Sequence, residues 1–188
     1  RKSLAGMLIY HSHNGDLFSQ DAVKGLDSLL ENGCLSINGI TRLYHGIVSR
    51  QCLNQLKQKA GTYFPGAIAD MSSAVGLVFF AKKHYYLNFP LIISGASGAS
   101  YAGKSGKKNN QTLFVHQPWF AKETIEKWSD QLPKRIVGQT VWPESAMKAL
   151  EKVGQGHLIS KINFPIIYAE YLSEFPEFAT DFQLFLES

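Results

Sequence analysis

The stretch from residue 61 to residue 100 constrains the fold of this chain more than any other. It reads GTYFPGAIADMSSAVGLVFFAKKHYYLNFPLIISGASGAS. A Pro-Gly turn that follows two aromatic residues leads to a single acid, Asp70, and Asp70 precedes an apolar run from Met71 to Ala81. The run predicts a helix that is buried on most sides. The segment Tyr85–Ser94 predicts a strand, and the polar Gly/Ser stretch after it predicts a loop.

Composition limits the class of protein. The chain has 188 residues, of which 45% are hydrophobic and 18% are charged, and this is typical of a globular domain with its own core. No apolar run approaches the roughly 20 residues that span a bilayer, and no signal peptide is visible. The net charge of +4 favours phosphate-bearing ligands or an anionic membrane surface, and does not by itself predict nucleic-acid binding.

The two cysteines, Cys34 and Cys52, have neither the spacing of metal ligands nor that of a disulfide framework. Free cysteines are usually buried, so both are expected to be buried free thiols. This expectation fits a reducing cytoplasm.

Strands and helices are predicted from caps, breakers and hydrophobic periodicity. Before Asp70 the predicted elements are a strand at Leu4–His11, a helix from Ser19 or Asp21 to about Glu31, a strand or tight approach at Arg42–Val48, and a helix from Ser49 to Gly61. After the Gly/Ser loop they are helices at Ala121–Gln131, Pro143–Val153, Pro165–Glu174 and Pro176–Leu186. Pro143 is expected at the first helical position. Aromatic residues at helical spacing near the end of the chain predict packing between the last two helices.

Asp70 has two interpretations. An aspartate before a helix is a common N-cap, because its carboxylate accepts hydrogen bonds from the first free amides. A carboxylate fixed at a loop-to-helix junction can also face a cleft and take a proton from a hydroxyl group. The residues around Asp70 favour the second interpretation through a resemblance to a known family.

Two segments carry this resemblance: RLYHGIVSRQCL, which is Arg42–Leu53, and Gly61–Ser100. Together they resemble the acceptor half of family 2 glycosyltransferases, which are inverting sugar-transfer enzymes with the GT-A nucleotide-sugar fold. The resemblance implies an α/β, helix-rich, C-terminal part of a GT-A-like fold in residues 1–110, and a helical C-terminal extension in residues 111–188. It also implies that Asp70 is the catalytic base, although the family often has an acidic pair where this chain has Ala69 and Asp70.

The resemblance implies further site residues. His45, flanked by Arg42 and Arg50, would line the acceptor or diphosphate site, since arginine can bind phosphate through two hydrogen bonds. The alternatives are a structural histidine and two solvated arginines. The remaining expected residues are Ser94, Gly95 and Ser97 for substrate binding, and His116 as a metal ligand. A divalent cation, Mn²⁺ or Mg²⁺, is the cofactor expected for the full enzyme.

The sequence contains no Asp-x-Asp motif, which is the donor-side metal motif of the family. The chain also begins with Arg1-Lys2 and runs directly into an apolar segment. We therefore expect a chain cut from a longer glycosyltransferase, without its donor-binding half and inactive alone. The expected partners are a nucleotide-sugar donor and a glycan or lipid-linked acceptor, with no nucleic acid. Homo-oligomerisation, a cytoplasmic location, peripheral contact with the inner face of the membrane and a role in polysaccharide assembly are further expectations.

Two alternatives stay open. Residues Gly98–Ser105 match the phosphate-loop pattern Gly-x4-Gly-Lys-Ser. The preceding apolar segment ends at Ser94, too early for that motif, and GKKNNQ is a poor helix start. A flexible basic loop is therefore favoured over a nucleotide site. A non-catalytic binding or assembly module, which needs no donor site, is the other alternative.

Overall fold

Residues 12–92 and 120–187 are described by a computed structural model of this chain. In these ranges the chain has a helix-rich α/β organisation, as predicted. The strands are β1 (Leu17–Gln20) and β2 (His84–Leu87), and the helices are α1 (Ala22–Glu31), α2 (Arg50–Ala60), α3 (Ala69–Val78), α4 (Gly138–Lys152), α5 (Phe164–Glu174) and α6 (Ala179–Glu187). Three short 3₁₀ helices lie at Lys122–Thr124, Gly156–Lys161 and Pro176–Phe178.

The first two helices begin and end at the predicted residues. The Asp21 carboxylate accepts hydrogen bonds from the backbone amides of Val23 and Lys24 at the start of α1. The Ser49 hydroxyl accepts one from the Cys52 amide at the start of α2. Helix α2 ends at Gly61, whose φ of 77° is a left-handed conformation that glycine adopts without strain.

Helix α3 is the centre of the described fold. All of its residues from Met71 to Val78 are buried, as the apolar run predicts. It packs along α4 and also contacts α1 and α2. A Cβ atom at Gly76 would lie 2.8 Å from Leu56 Cδ1, so this glycine allows α2 to approach α3 closely.

The two strands form a small antiparallel sheet, in which Leu17 pairs with Leu87 and Phe18 with Tyr86. Strand β1 was not predicted from the sequence. The predicted strand at Tyr85–Ser94 is shorter in the structure, since β2 ends at Leu87, and residues 93 and 94 lie outside the described residues, as does Leu4–His11. Several large apolar side chains of the sheet are exposed, including Phe18, Tyr85 and Tyr86.

Two predicted helices in the second half need correction. The helix predicted at Ala121–Gln131 is wrong, because the chain forms only a short 3₁₀ helix there and then a series of turns. Pro143 does not start its helix. Helix α4 begins at Gly138, where the Thr140 hydroxyl accepts a hydrogen bond from the Val137 amide at 3.3 Å, and Pro143 lies in its interior.

The described helices on both sides of residue 110 share one core. The largest cluster of buried side chains includes Leu30 of α1, Val75 of α3 and Leu150 of α4. The predicted domain boundary at residue 110 itself lies outside the described residues. The division into residues 1–110 and 111–188 therefore stays a prediction.

The last two helices pack through aromatic side chains, as expected. Tyr171 and Phe182 are buried, and their ring centroids lie 5.9 Å apart. Arg135 lies over the ring of Phe178, 3.6 Å from its centroid, and also pairs with Asp181. In the part of the chain that the structure describes, no helix has both the length and the apolar character needed to cross a membrane.

Both cysteines are free. Cys34 is buried, as predicted, and its burial raises the pKa of the thiol to about 12, so at neutral pH it is an unreactive thiol rather than a nucleophile. Cys52 is only partly buried, and its sulfur donates to the Phe80 carbonyl at 3.3 Å.

Candidate functional site

The loop before α3 is fixed to α4. The backbone amide of Ile68 donates to the Ser145 hydroxyl at 2.8 Å, and that hydroxyl donates in turn to the Val141 carbonyl at 2.7 Å. Gly66 lies so close to α4 that a Cβ atom there would be 2.7 Å from the Ser145 carbonyl oxygen. The direction in which the chain enters α3 is therefore set by α4, which lies far away in the sequence.

Asp70 is the second residue of α3 and does not cap it. Ile68 occupies the N-cap position, and no side chain caps this helix. The capping interpretation of Asp70 is therefore wrong. Its Oδ1 atom is buried and has no hydrogen-bond partner among the described residues. A buried carboxylate oxygen without a donor is costly for the fold, which is the pattern expected where a ligand completes the site.

The electrostatic surroundings of Asp70 combine opposing effects. Partial burial raises the pKa of its carboxyl above the usual range, while the charges of His45 and then Arg42 act to lower that pKa. The structure thus brings together three of the residues predicted for the site. The position in the first turn of a helix also favours the ionised carboxylate.

A turn, rather than the predicted strand, presents His45 and Arg42. Residues 43–46 form turns and bends, so of the strand or tight approach predicted at Arg42–Val48 the strand is wrong. A Cβ atom at Gly46 would lie 2.4 Å from the Arg42 carbonyl oxygen, a distance that only glycine permits. The Thr41 hydroxyl donates to the Ala74 carbonyl of α3 at 2.8 Å and holds the start of this turn against the helix that carries Asp70.

The Arg42 guanidinium is held from its own loop. Its Nε donates to the Ile37 carbonyl at 3.3 Å, and its Nη2 donates to Asn38 Oδ1 at 2.9 Å. His45 is exposed rather than buried, so the interpretation of His45 as a buried structural residue is wrong.

Two aromatic residues at the site were missed by the sequence analysis. The rings of Tyr44 and Phe64 lie 6.2 Å apart and join the turn at 43–46 to the loop before α3. They are 52% and 40% exposed. Their adjacency to His45 and to the Pro-Gly turn is the signal that could have identified them. They form an exposed aromatic pair at the turn that carries His45.

The other predicted site residues are not brought to this point. Arg50 is the exposed first residue of α2, and it is not among the charges that act on Asp70. Ser94, Gly95, Ser97 and His116 lie outside the described residues, and so does the phosphate-loop pattern at Gly98–Ser105. Their roles stay predictions.

The described residues do not supply a metal centre. Within residues 12–92 and 120–187, no three His, Cys, Asp or Glu side chains lie together as metal ligands would.

A second buried carboxyl group lies in α4 and was also missed. Glu144 is almost completely buried, and its Oε2 accepts a hydrogen bond from the Ser129 amide at 3.2 Å. Its Oε1 lies 3.8 Å from Lys148 Nζ, beyond hydrogen-bond distance, and has no hydrogen-bond partner among the described residues. Burial raises the pKa of Glu144 to about 7, although the Lys148 charge acts to lower it.

Comparisons with known proteins leave this site to be interpreted from its own chemistry. No protein-family model matches the chain, and neither does a curated protein or a solved structure.

Proposed function

We propose that this chain supplies the acceptor-binding part and the catalytic base of an inverting glycosyltransferase. The proposed reaction moves a sugar from a nucleotide-sugar donor to a hydroxyl group of a glycan or lipid-linked acceptor. Glycan or polysaccharide assembly is the setting in which we place it. The GT-A-like fold and the family itself are part of this proposal.

The proposal rests on the Oδ1 atom of Asp70, which is buried and has no hydrogen-bond partner among the described residues. Asp70 does not cap α3, and its favourable interaction with the helix dipole does not require a buried oxygen without a donor. Its pKa is raised by burial, and a higher pKa makes a carboxylate a stronger base. The charges of His45 and Arg42 oppose that rise and favour the ionised form, which is the form that can accept a proton.

The chemistry requires one proton transfer and one displacement. The acceptor hydroxyl would donate its proton to Asp70 as its oxygen attacks the anomeric carbon of the donor sugar. The bond between that carbon and the diphosphate oxygen would break, and the nucleoside diphosphate would leave with the bonding electrons. Attack from the face opposite the leaving group inverts the configuration of the anomeric carbon.

The surroundings of Asp70 fit this assignment. Tyr44 and Phe64 offer exposed ring faces on which the C–H face of a sugar can lie. The Arg42 guanidinium, whose charge acts on Asp70, lies where it can meet negative charge on the leaving diphosphate. The chain contains no Asp-x-Asp motif, so the proposal assigns donor binding to a separate donor-binding part of the enzyme.

The test is turnover by the intact protein that carries this chain. Candidate donors are UDP-glucose, UDP-N-acetylglucosamine, GDP-mannose and dTDP-rhamnose, each with Mn²⁺ and a mixture of glycan acceptors. Release of nucleoside diphosphate measures the rate, and NMR of the product gives the anomeric configuration. We expect transfer with inversion, which Asp70→Asn abolishes.

The matched control is Asp21→Asn. Asp21 also lies at a helix start, and asparagine can accept the same hydrogen bonds from Val23 and Lys24. This control removes one negative charge from a comparable position and should leave turnover unchanged. Retained anomeric configuration, or full activity of Asp70→Asn, would refute the assignment. Glycan binding without turnover of any donor would favour the non-catalytic alternative.

A further inference from the structure

A groove of about 920 Å³ lies between the end of α1, the segment that follows it, the start of α4 and one side of α5. We refer to it as the Trp142 groove. Its lining side chains include those of Trp142, Ser28, Asn32, Asn38, Gln139 and Glu170. Its volume is within the range of roughly 300–1,000 Å³ that is usual for ligand sites.

The lining of the Trp142 groove is partly polar and nearly uncharged, with aliphatic surface from Leu29, Leu35 and Ile166. Asn32, Asn38 and Gln139 provide amide groups, and Ser28 provides a hydroxyl group. These amides are partly engaged within the protein, since Asn32 donates to the Ser28 carbonyl at 2.7 Å, Gln139 donates to Glu174, and Asn38 accepts from Arg42. An amide has two protons and an oxygen with two lone pairs, so each keeps capacity for a further hydrogen bond. Glu170 is the one charged side chain among the described residues that line the groove.

Trp142 gives the groove an apolar surface of fixed orientation. Its side chain is half-buried and packs against the main core cluster, so one part of the indole is held by the fold. The part that lines the groove can contact a ligand with its ring.

This combination selects one ligand class. A pyranose ring has an apolar C–H face and a rim of hydroxyl groups that both donate and accept, which matches an indole surface surrounded by amides and hydroxyls. Phosphate groups are bound by Arg, Lys or a helix N-terminus at close range. The lining includes the start of α4 at Gly138 and Gln139, but it has no Arg or Lys among the described residues and contains the Glu170 carboxylate, which disfavours an anion. A lipid chain would leave the amide groups without partners.

The groove adjoins the Asp70 site through Arg42. Asn38 lines the groove, and its Oδ1 accepts a hydrogen bond from Arg42 Nη2 at 2.9 Å. Arg42 in turn lies close enough to Asp70 for its charge to act on that carboxyl group. A chain of sugar units seated in the groove would therefore extend towards the proposed base.

We propose that the Trp142 groove binds neutral sugar units of the acceptor, at positions behind the unit that reacts. The ligand class is a neutral oligosaccharide, and the role as an acceptor subsite rests on the proposed function. Glycan binding itself depends only on the lining of the groove.

The experiment is calorimetric titration of the intact protein with maltohexaose, cellohexaose and chitohexaose, and with a sulfated hexasaccharide as the anionic counterpart. We expect at least one neutral hexasaccharide to bind, and the sulfated one to bind more weakly. Trp142→Ala should weaken the neutral ligand about tenfold or more, because it removes the ring surface. Trp142→Phe keeps an aromatic ring and should stay within a few-fold of the wild type.

Two further variants separate an effect at the groove from a general loss of folding. Glu170→Gln removes the carboxylate charge from the lining, so it should raise the affinity for the sulfated ligand relative to that for the neutral one. Tyr86→Ala removes an exposed aromatic ring outside the groove and should have no effect. Circular dichroism of each variant checks its fold.

The outcomes separate this inference from the proposed function. If no neutral hexasaccharide binds, or if a folded Trp142→Ala protein binds as the wild type does, the groove assignment is wrong even where transfer is observed. If Asp70→Asn still binds the hexasaccharide and no donor supports transfer in the wild type, the groove stands as a glycan site and the transferase proposal fails. Binding that Asp70→Asn preserves while it abolishes transfer supports both.

Discussion

Asp70 at the start of α3 and Glu144 within α4 are both carboxyl groups with a buried oxygen that lacks a partner among the described residues. Burial raises the pKa of each. They differ in access: Asp70 is partly exposed and faces a turn and a loop, whereas Glu144 is enclosed by its own helix and the segment at Ser129. A raised pKa is therefore a property of buried acids in general, and access together with charged neighbours on other elements distinguishes a candidate base.

The largest expected effect separates the two acids by activity. We expect Asp70→Asn to lower the transfer rate by roughly 10²–10⁴-fold, which is the usual contribution of a general base. Glu144→Gln should leave the rate within a few-fold of the wild type, because Glu144 does not face the proposed site. Both rates come from nucleoside diphosphate release under the same conditions. Equal losses of transfer rate in Asp70→Asn and Glu144→Gln would contradict the assignment of Asp70 alone as the base.

The second effect separates them by stability. A carboxyl group whose pKa is raised on folding stabilises the protein below its unfolded pKa, and this stabilisation is lost as the pH rises through the folded pKa. For Glu144 the window runs from 4.5 to about 7. The cost of ionising it at higher pH amounts to about 3–4 kcal/mol at most.

Glu144→Gln should therefore resemble the wild type in stability near pH 4.5 and be more stable at pH 8. Urea unfolding at the two pH values measures this difference. Lys148→Met is the complementary variant: it removes the charge that lowers the Glu144 pKa and should reduce stability at pH 8. A pH-independent difference between Glu144→Gln and the wild type would contradict the assignment.

The third effect concerns the contact between the loop before α3, which leads to Asp70, and helix α4, which carries Glu144. Gly66→Ala would place a methyl group 2.7 Å from the Ser145 carbonyl oxygen and 2.9 Å from its Cα atom. Because these are backbone atoms, we expect a loss of about 1–3 kcal/mol, together with slower transfer as Asp70 shifts.

Gly138→Ala is the matched control, since a Cβ atom at Gly138 meets nothing within 4 Å. That variant should be neutral or slightly stabilising, because alanine has less conformational freedom to lose on folding. Thermal unfolding of the two variants gives the comparison, and equal midpoints would show that the loop can move away from α4.

The smallest effect is a shift in the pH profile. Of the two charges that lower the pKa of Asp70, that of His45 has the larger effect. His45→Gln should therefore raise the pKa of Asp70. The acidic limb of the kcat/KM profile should then move to higher pH, while the plateau rate changes little. Lys82→Gln, an exposed charge not among those that act on Asp70, is the control. If the acidic limb of the profile does not move in His45→Gln, the titration of Asp70 is not the cause of that limb.

Local signals in the sequence predicted part of this fold. Asp21, Ser49 and Gly61 define helix ends through hydrogen bonds or backbone angles within a few residues. Pro143 misled the prediction, because proline is common at a helix start but here lies inside α4, whose start is set by Thr140. The capping contact needed for the correct prediction is local, but proline is the stronger signal in the sequence.

The candidate site depended on non-local contacts. Spacing alone does not bring His45 and Arg42 to Asp70, and their association was expected only from the family resemblance. It depends on the Thr41 bond to α3 and on the tight turn at Gly46, while the orientation of α3 depends on Ser145. Glu144 could not be predicted as a buried acid, because its enclosure comes from the segment at Ser129.

The small two-stranded sheet should differ from the helical core in the rate at which its amide hydrogens exchange with solvent. Four-residue strands with exposed Phe18, Tyr85 and Tyr86 can open without disturbing the helical core, so their amide hydrogens should exchange with solvent through brief local openings. The amides of α3, buried along its length, should exchange only when the whole fold opens. The amide exchange rate of β1 and β2 should therefore be high while the sheet is exposed to solvent. A binding partner that covers the sheet would lower that rate.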